Sequence, residues 1–147
     1  MHLFPHDYYL LQLTPCDIIF LQETLCPESS IVNILQGMHP GWNFHALDAH
    51  GRLSSIALGI NSRSINLLNI WGGEGYLGAD IQSIEFRSHF RIFNIYGPCS
   101  NRLAFRDHFL NLPLMNHDRL ILGGDLNFSL GQAESWGHST QFDPLSE

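Results

Sequence analysis

The chain contains no lysine; its seven basic residues are all arginine and face fourteen acidic ones, for a formal net charge of −7. Such a balance is a poor electrostatic footprint for a protein that grips nucleic acid through surface charge. A phosphate-bearing substrate would need counter-charge from a bound divalent cation or from further sequence. Cysteine is scarce as well. Cys16, Cys26 and Cys99 show no C-x-x-C spacing and cannot all pair, which argues against a disulfide framework and for a reduced, intracellular setting. No apolar run is long enough to cross a bilayer, so no membrane partner is expected. The opening "MHLFPHDYYLLQL" lacks the basic start and small-residue cleavage site of a secretory signal. Internal repeats, low-complexity segments and linkers are also missing, and residues 1–147 read as one domain.

What is present suffices for a packed core. At 44% hydrophobic and 14% charged, the composition is that of a globular protein and not of a disordered one. "HDYYLLQLTP" reads as the tail of a helix ended before Pro15, and "CDIIFLQET" as a strand buried on both faces with Glu23 at its exit. "PESSIVNILQG" has helix-start residues and a stop at Gly37. "WNFHALD" alternates like a half-buried strand, "AHGR" is a turn, and "LSSIALGI" and "INLLNIW" are strands parted by "NSRS". "GGEG" marks a loop, and "ADIQSIEF" with "FRIFNIYGP" forms a hairpin around Arg87 and Ser88. "SNRLAFRDHFLNLP" reads as a helix capped by Ser100 or Asn101, with Leu103, Phe109 and Leu110 on its apolar face. "LILGGDLNFSL" closes the pattern as a buried strand. This order predicts an α/β or α+β layered protein on mixed sheets.

Three polar groups fall at strand ends, where α/β proteins place their sites: Glu23, then Asn94 with Tyr96, then Asp125 with Asn127. In "LILGGDLN", Gly123 and Gly124 clear space for a ligand or another backbone. Two-residue alternation would aim Asp125 and Asn127 to one face, with Leu126 and Phe128 anchored in the core. Each feature has a plainer explanation. Gly-Gly-Asp and Asn are common in turns, Glu23 suits a helix cap, Tyr96 a sheet edge, and Asn94 a bond to loop backbone. Among the nine histidines, Pro5 argues against a metal pair of His2 and His6. His39, His45, His50 and His108 read as solvated surface, and no spacing recommends His138.

Taken in order, "DIIFLQET", "FNIYGP" and "LILGGDLN" resemble the motifs of the endonuclease/exonuclease/phosphatase superfamily, most of all the endonuclease domain of plant LINE-type retrotransposons. The resemblance runs from about residue 8 to the end. It implies two mixed β-sheets packed face to face with helices outside, a four-layer sandwich. It also implies Mg²⁺-dependent phosphodiester hydrolysis (Mn²⁺ as the substitute), DNA as partner and a nuclear location. Residue by residue, Glu23 matches the Mg²⁺-binding carboxylate, and Tyr96 the tyrosine beside the scissile phosphate. Asp125 matches the aspartate that serves the attacking water or the leaving oxygen, and Asn127 the amide on a phosphate oxygen. Two departures stand out. The superfamily's first strand, with an asparagine near the metal, and its last, with an aspartate and a histidine, find no match here. The expectation is a domain incomplete at both termini, with little or no activity. A small-phosphoester enzyme and a non-catalytic remnant are the alternatives. Ser54-Ser55 also replaces a Gly-Gly pair found in many relatives.

Overall fold

A computed structural model describes residues 16–48 and 55–127. The expected N-terminal helix, the "AHGR" turn, Ser54, Phe128 and the histidines at 2, 6, 50 and 138 lie outside those residues. The described chain runs β1 (Ile18–Leu21), α1 (Glu28–Met38), β2 (Trp42–Asp48), β3 (Ser55–Asn61), β4 (Ile65–Gly73), β5 (Tyr76–Ser83), β6 (His89–Tyr96), α2 (Arg102–Leu110), a 3₁₀ turn (Pro113–Met115) and β7 (Leu120–Asp125).

The strands divide between two sheets. In the first, β3 lies between β1 and β2, all antiparallel; in the second the order is β4-β5-β6-β7, with β7 parallel to β6. Among the described residues, only the second sheet is therefore mixed. Alternation along the strands sends each sheet's two faces into different layers. Ile56, Leu58 and Ile60 of β3 meet Leu77, Ala79 and Ile81 of β5 and Ile92 of β6 between the sheets. On the outer face of the first sheet, Phe44, Ala46 and Ala57 pack against Ile31 and Leu35 of α1. On the outer face of the second, Tyr76, Phe93 and Ile95 pack against Phe109 of α2. The result is an α+β sandwich of helix, sheet, sheet and helix, as the sequence reading anticipated.

Details depart where tertiary neighbours override local pattern. Helix α1 continues through Gly37 to Met38, and Pro27 at its N-cap offers no side-chain bond. Instead the Glu28 backbone N–H donates to Asp48 Oδ1 at 2.7 Å, so the cap comes from the end of β2. Asn101 occupies the N-cap of α2 in the left-handed region and its side chain does not cap. Within α2, Phe109 is buried and Phe105 packs beside it, whereas Leu103 and Leu110 are 45% and 54% exposed. The α2 apolar face is thus aromatic and narrower than expected. In β7, Ile121 and Leu122 are 40% and 46% exposed, because among the described residues this strand pairs on one side alone. Among the described residues it is an edge strand, where a buried one was expected.

Asn94 is the polar exception inside the sandwich, and it is fully buried. Its amide donates to the backbone carbonyls of Ala57 (2.7 Å) and Leu21 (3.1 Å), and its Oδ1 accepts from the Gln22 side chain. One β6 residue thereby satisfies itself entirely on the opposite sheet, which is how a buried amide avoids the cost of lost hydration. Its partners are strand carbonyls, not the loop backbone of the plainer explanation.

Candidate active site

The ends of β1, β6 and β7 deliver the candidate residues to one place. Glu23 follows β1 in a tight loop where Glu23 (φ 50°) and Leu25 (φ 51°) both adopt left-handed backbone that side chains other than Gly and Asn avoid. Bonds to the start of β3 hold this loop. The Thr24 N–H donates to the Ser55 carbonyl at 3.2 Å, the Thr24 and Ser55 hydroxyls share a hydrogen bond, and Ser55 Oγ donates to the Cys26 carbonyl at 2.6 Å. Ser55, one of the pair standing in for Gly-Gly, is thus part of the clasp that presents Glu23.

Tyr96 ends β6 on the inter-sheet face, and its hydroxyl donates to Glu23 Oε1. That bond, followed by burial and the nearby carboxylate charge, pushes the Tyr96 phenol up to about 12. The Asn127 side chain, bonded to the same hydroxyl, pulls slightly the other way. Tyr96 is therefore a neutral donor across the physiological range and not a phenolate.

Tyr96 and Asp125 are register partners in the parallel β6–β7 pair. The two glycines before Asp125 answer to packing. A Cβ at Gly123 would sit 2.5 Å from the Phe20 ring, and one at Gly124 (φ +130°) would sit 1.9 Å from the Ile95 carbonyl oxygen. The close approach is by protein and not by ligand. Past the strand, Asn127 takes a left-handed backbone (φ 54°) and its N–H donates to Asp125 Oδ1 at 2.8 Å. Asp125 and Asn127 are brought together by this Asx turn and not by extended alternation, so the turn and the functional readings describe one geometry. The Asn127 side chain donates to the Gly97 carbonyl, the Gly97 N–H to the Asp125 carbonyl (2.7 Å), and Arg102 Nη1 to the Asn127 carbonyl (2.7 Å). Leu126 is exposed at 37% and does not anchor the turn in the core.

Two supporting residues, Gln22 and Arg102, escaped the sequence reading, as did the role of Ser55. Gln22 directly follows β1 and its side chain reaches Asn94 between the sheets, where a polar side chain is out of pattern; that was its only signal. Arg102 had none, because its partner lies 25 residues away, and Ser55 stood out only as a departure from Gly-Gly and not as a clasp. Among the described residues, no histidine bonds to Glu23, Tyr96, Asp125 or Asn127. His45 is mid-strand in β2 opposite Leu58, half-buried, and burial pulls its pKa down. The His39 ring lies tilted against Trp42 (5.9 Å between centroids) and Phe44 (6.5 Å), so neither histidine is simple solvated surface. His108 is exposed on α2 as expected.

No group of three or more His, Cys, Asp or Glu side chains is gathered among the described residues. Such a donor set does not suit a fully caged metal. It does suit Mg²⁺, which keeps several waters and takes one or two carboxylates plus substrate oxygens. Glu23 would hold the ion, with Asp125 nearby. The ion's chemistry would be to polarise a phosphoryl oxygen and neutralise its charge.

Compared as a sequence, the chain matches no protein-family profile and no curated protein. Compared as a structure, it is similar to members of the endonuclease/exonuclease/phosphatase family. A mannosyl-6-phosphatase of Bacteroides thetaiotaomicron aligns with TM-score 0.65 at 13% identity, covering 88% of this chain and 58% of the other. The human Nocturnin catalytic domain with bound sulfate aligns with TM-score 0.57 at 14% identity, covering 84% and 56%. TDP2 of D. rerio, complexed with a single-strand DNA product, aligns with TM-score 0.61 at 16% identity, covering 84% and 52%. At these identities the likeness is one of fold, and the chain spans little more than half the length of these proteins. No helix among the described residues is long and apolar enough to cross a membrane.

Proposed function

We propose that this chain carries the phosphoester-hydrolysing site of a Mg²⁺-dependent endonuclease of LINE type, with DNA as substrate. The observation that carries the reading is the hydrogen bond from Tyr96 to Glu23 at the strand end where Asp125 is its register partner. Phosphoryl transfer asks a protein to position reactants and to offset charge on the equatorial oxygens. In this reading Glu23 holds the cation, Tyr96 and Asn127 donate to phosphate oxygens, and Asp125 handles the proton of the attacking water or leaving oxygen. The fixed Asx turn supports such a role for Asp125, because one of its oxygens is tied to the Asn127 N–H and the carboxylate is held in place.

The test is plasmid nicking at excess protein, with and without Mg²⁺, beside a calorimetric Mg²⁺ titration. Whatever Mg²⁺-dependent nicking the chain supports should be lost in Asp125→Ala, and Mg²⁺ affinity should weaken in Glu23→Gln. Cleavage indifferent to Asp125→Ala, or Mg²⁺ binding indifferent to Glu23→Gln, overturns the assignment. A second reading, hydrolysis of a small phosphate ester, draws on the likeness to a sugar phosphatase. Turnover of a sugar phosphate with no nicking of plasmid would select it.

A further inference from the structure

A second polar cluster lies at the opposite end of β6. Arg87, Ser88, His89, His117, Asp118 and Arg119 line an open cleft of about 400 Å³. Seven steps along β6 separate His89 from Tyr96, roughly 24 Å at the rise of an antiparallel strand. The cleft is thus remote from Glu23 and Asp125.

We infer that this cleft is a binding site for single-stranded nucleic acid, separate from the candidate active site. The first support is how the scarce cationic charge is distributed. Arg91 is committed to Asp80, its guanidinium reaching both carboxylate oxygens at 2.7 and 2.9 Å, and Arg106 pairs with Asp107 at 3.2 Å. Arg87 and Arg119 make no ion pair among the described residues, although Asp118 lines the same cleft and Glu85 is close in the chain. The backbone around them is shaped as well. Arg87 sits at φ 50°, a left-handed conformation costly for a long side chain, and His117 Nδ1 lies within reach of both the N–H (3.1 Å) and the carbonyl (3.0 Å) of Arg119, accepting from the first in one tautomer and donating to the second in the other.

The second support is aromatic. Phe86, next to Arg87 at the tip of the β5–β6 turn, is 71% exposed, and the Arg119 guanidinium lies 5.9 Å from the centre of the Phe90 ring. Unpaired guanidinium groups beside an exposed aromatic face are what a single strand uses: phosphates meet the cations, and an unstacked base lies on the ring. A free phosphate ion has no use for Phe86. Asp118 subtracts from the attraction, so affinity belongs in the range of non-specific binding, on the order of 10⁻⁴–10⁻⁵ M.

The experiment is fluorescence anisotropy of a labelled single-stranded oligonucleotide with the full chain in EDTA, which keeps it independent of any catalytic reading. Arg87→Ala with Arg119→Ala should weaken binding about tenfold and lower the salt slope by about 1.4, the value for two phosphate contacts on a single strand. Arg87→Lys with Arg119→Lys should keep the slope, showing that charge and not folding was lost. Phe86→Ala should weaken the normal strand about fivefold or more and leave an abasic strand unaffected. An unchanged slope in the double alanine variant overturns the proposal. So does an abasic strand binding as well as the normal one, or inorganic phosphate competing as strongly per phosphate as the oligonucleotide.

Discussion

The two ends of the β6–β7 pair are made of opposite material. Around Tyr96 and Asp125, the polar side chains are bonded to one another: Tyr96 to Glu23, Asp125 to the Asn127 backbone, and Asn127 to the Gly97 carbonyl. Around His89 and Leu120, two arginines face solvent without an ion pair among the described residues. One end offers fixed geometry, which aligned chemistry requires. The other leaves its charged side chains unpaired on a shaped backbone, which suits loose attraction and weakens with salt. A single pair of strands supplies both, because its two ends open onto different loops.

The contrast can be broken most severely at Gly124. Gly124→Ala should cost on the order of 4 kcal/mol or more, since its Cβ would meet the Ile95 carbonyl at a backbone conformation alanine avoids. Urea unfolding measures it, and a loss under 1 kcal/mol would show that β7 relaxes freely away from β6. Asn94→Ala should follow at about 2–4 kcal/mol, because it strands the carbonyls of Leu21 and Ala57 inside the sandwich. Arg119→Ala, at the loose end, should change stability by no more than about 0.5 kcal/mol in the same assay. A comparable loss at both sites would erase the distinction between the ends.

The finest effect is one of pH. Tyr96 is held at about 12 in the folded chain against an ordinary 10, so folding favours its protonated form. The stability this contributes is whole below pH 10 and is lost as pH rises from 10 to 12. The stability difference between the wild type and Tyr96→Phe should therefore be flat below about pH 9 and shrink between 10 and 12. A difference independent of pH would mean that Tyr96 does not donate to Glu23.

Strand and helix order was legible because period-two and period-3.6 patterns are local properties. "WNFHALD" is β2 residue for residue, and the β5–β6 hairpin forms, but it turns at residues 84–86, ahead of Arg87 and Ser88, so the end of "ADIQSIEF" is turn and not strand. The candidate residues at the strand ends were legible too, since turn chemistry follows directly on apolar runs. What the pattern could not carry was partnership across the fold. The apolar letters of Ile121, Leu122, Leu103 and Leu110 say nothing of whether a neighbour covers them. The Asp48 cap, the Ser55 clasp and the Gln22–Asn94 bond join residues 20 to 72 positions apart. Gly123 and Gly124 were read rightly as points of close approach, but only the sheet register shows that Phe20 and Ile95 are what approaches.

The parallel pairing of β6 with β7 also has a kinetic consequence. β4, β5 and β6 are joined by tight turns and can zip together from local contacts, whereas β7 reaches β6 only after α2 has crossed the sheet face. Asp125 should be among the last residues to arrive beside Tyr96. In pulse-labelling hydrogen exchange, the β5–β6 amides should gain protection before those of Gly123 and Asp125. The cluster of Glu23, Tyr96 and Asp125 would then come into being only with the final folding step, and a partly folded chain would present its strands without its chemistry.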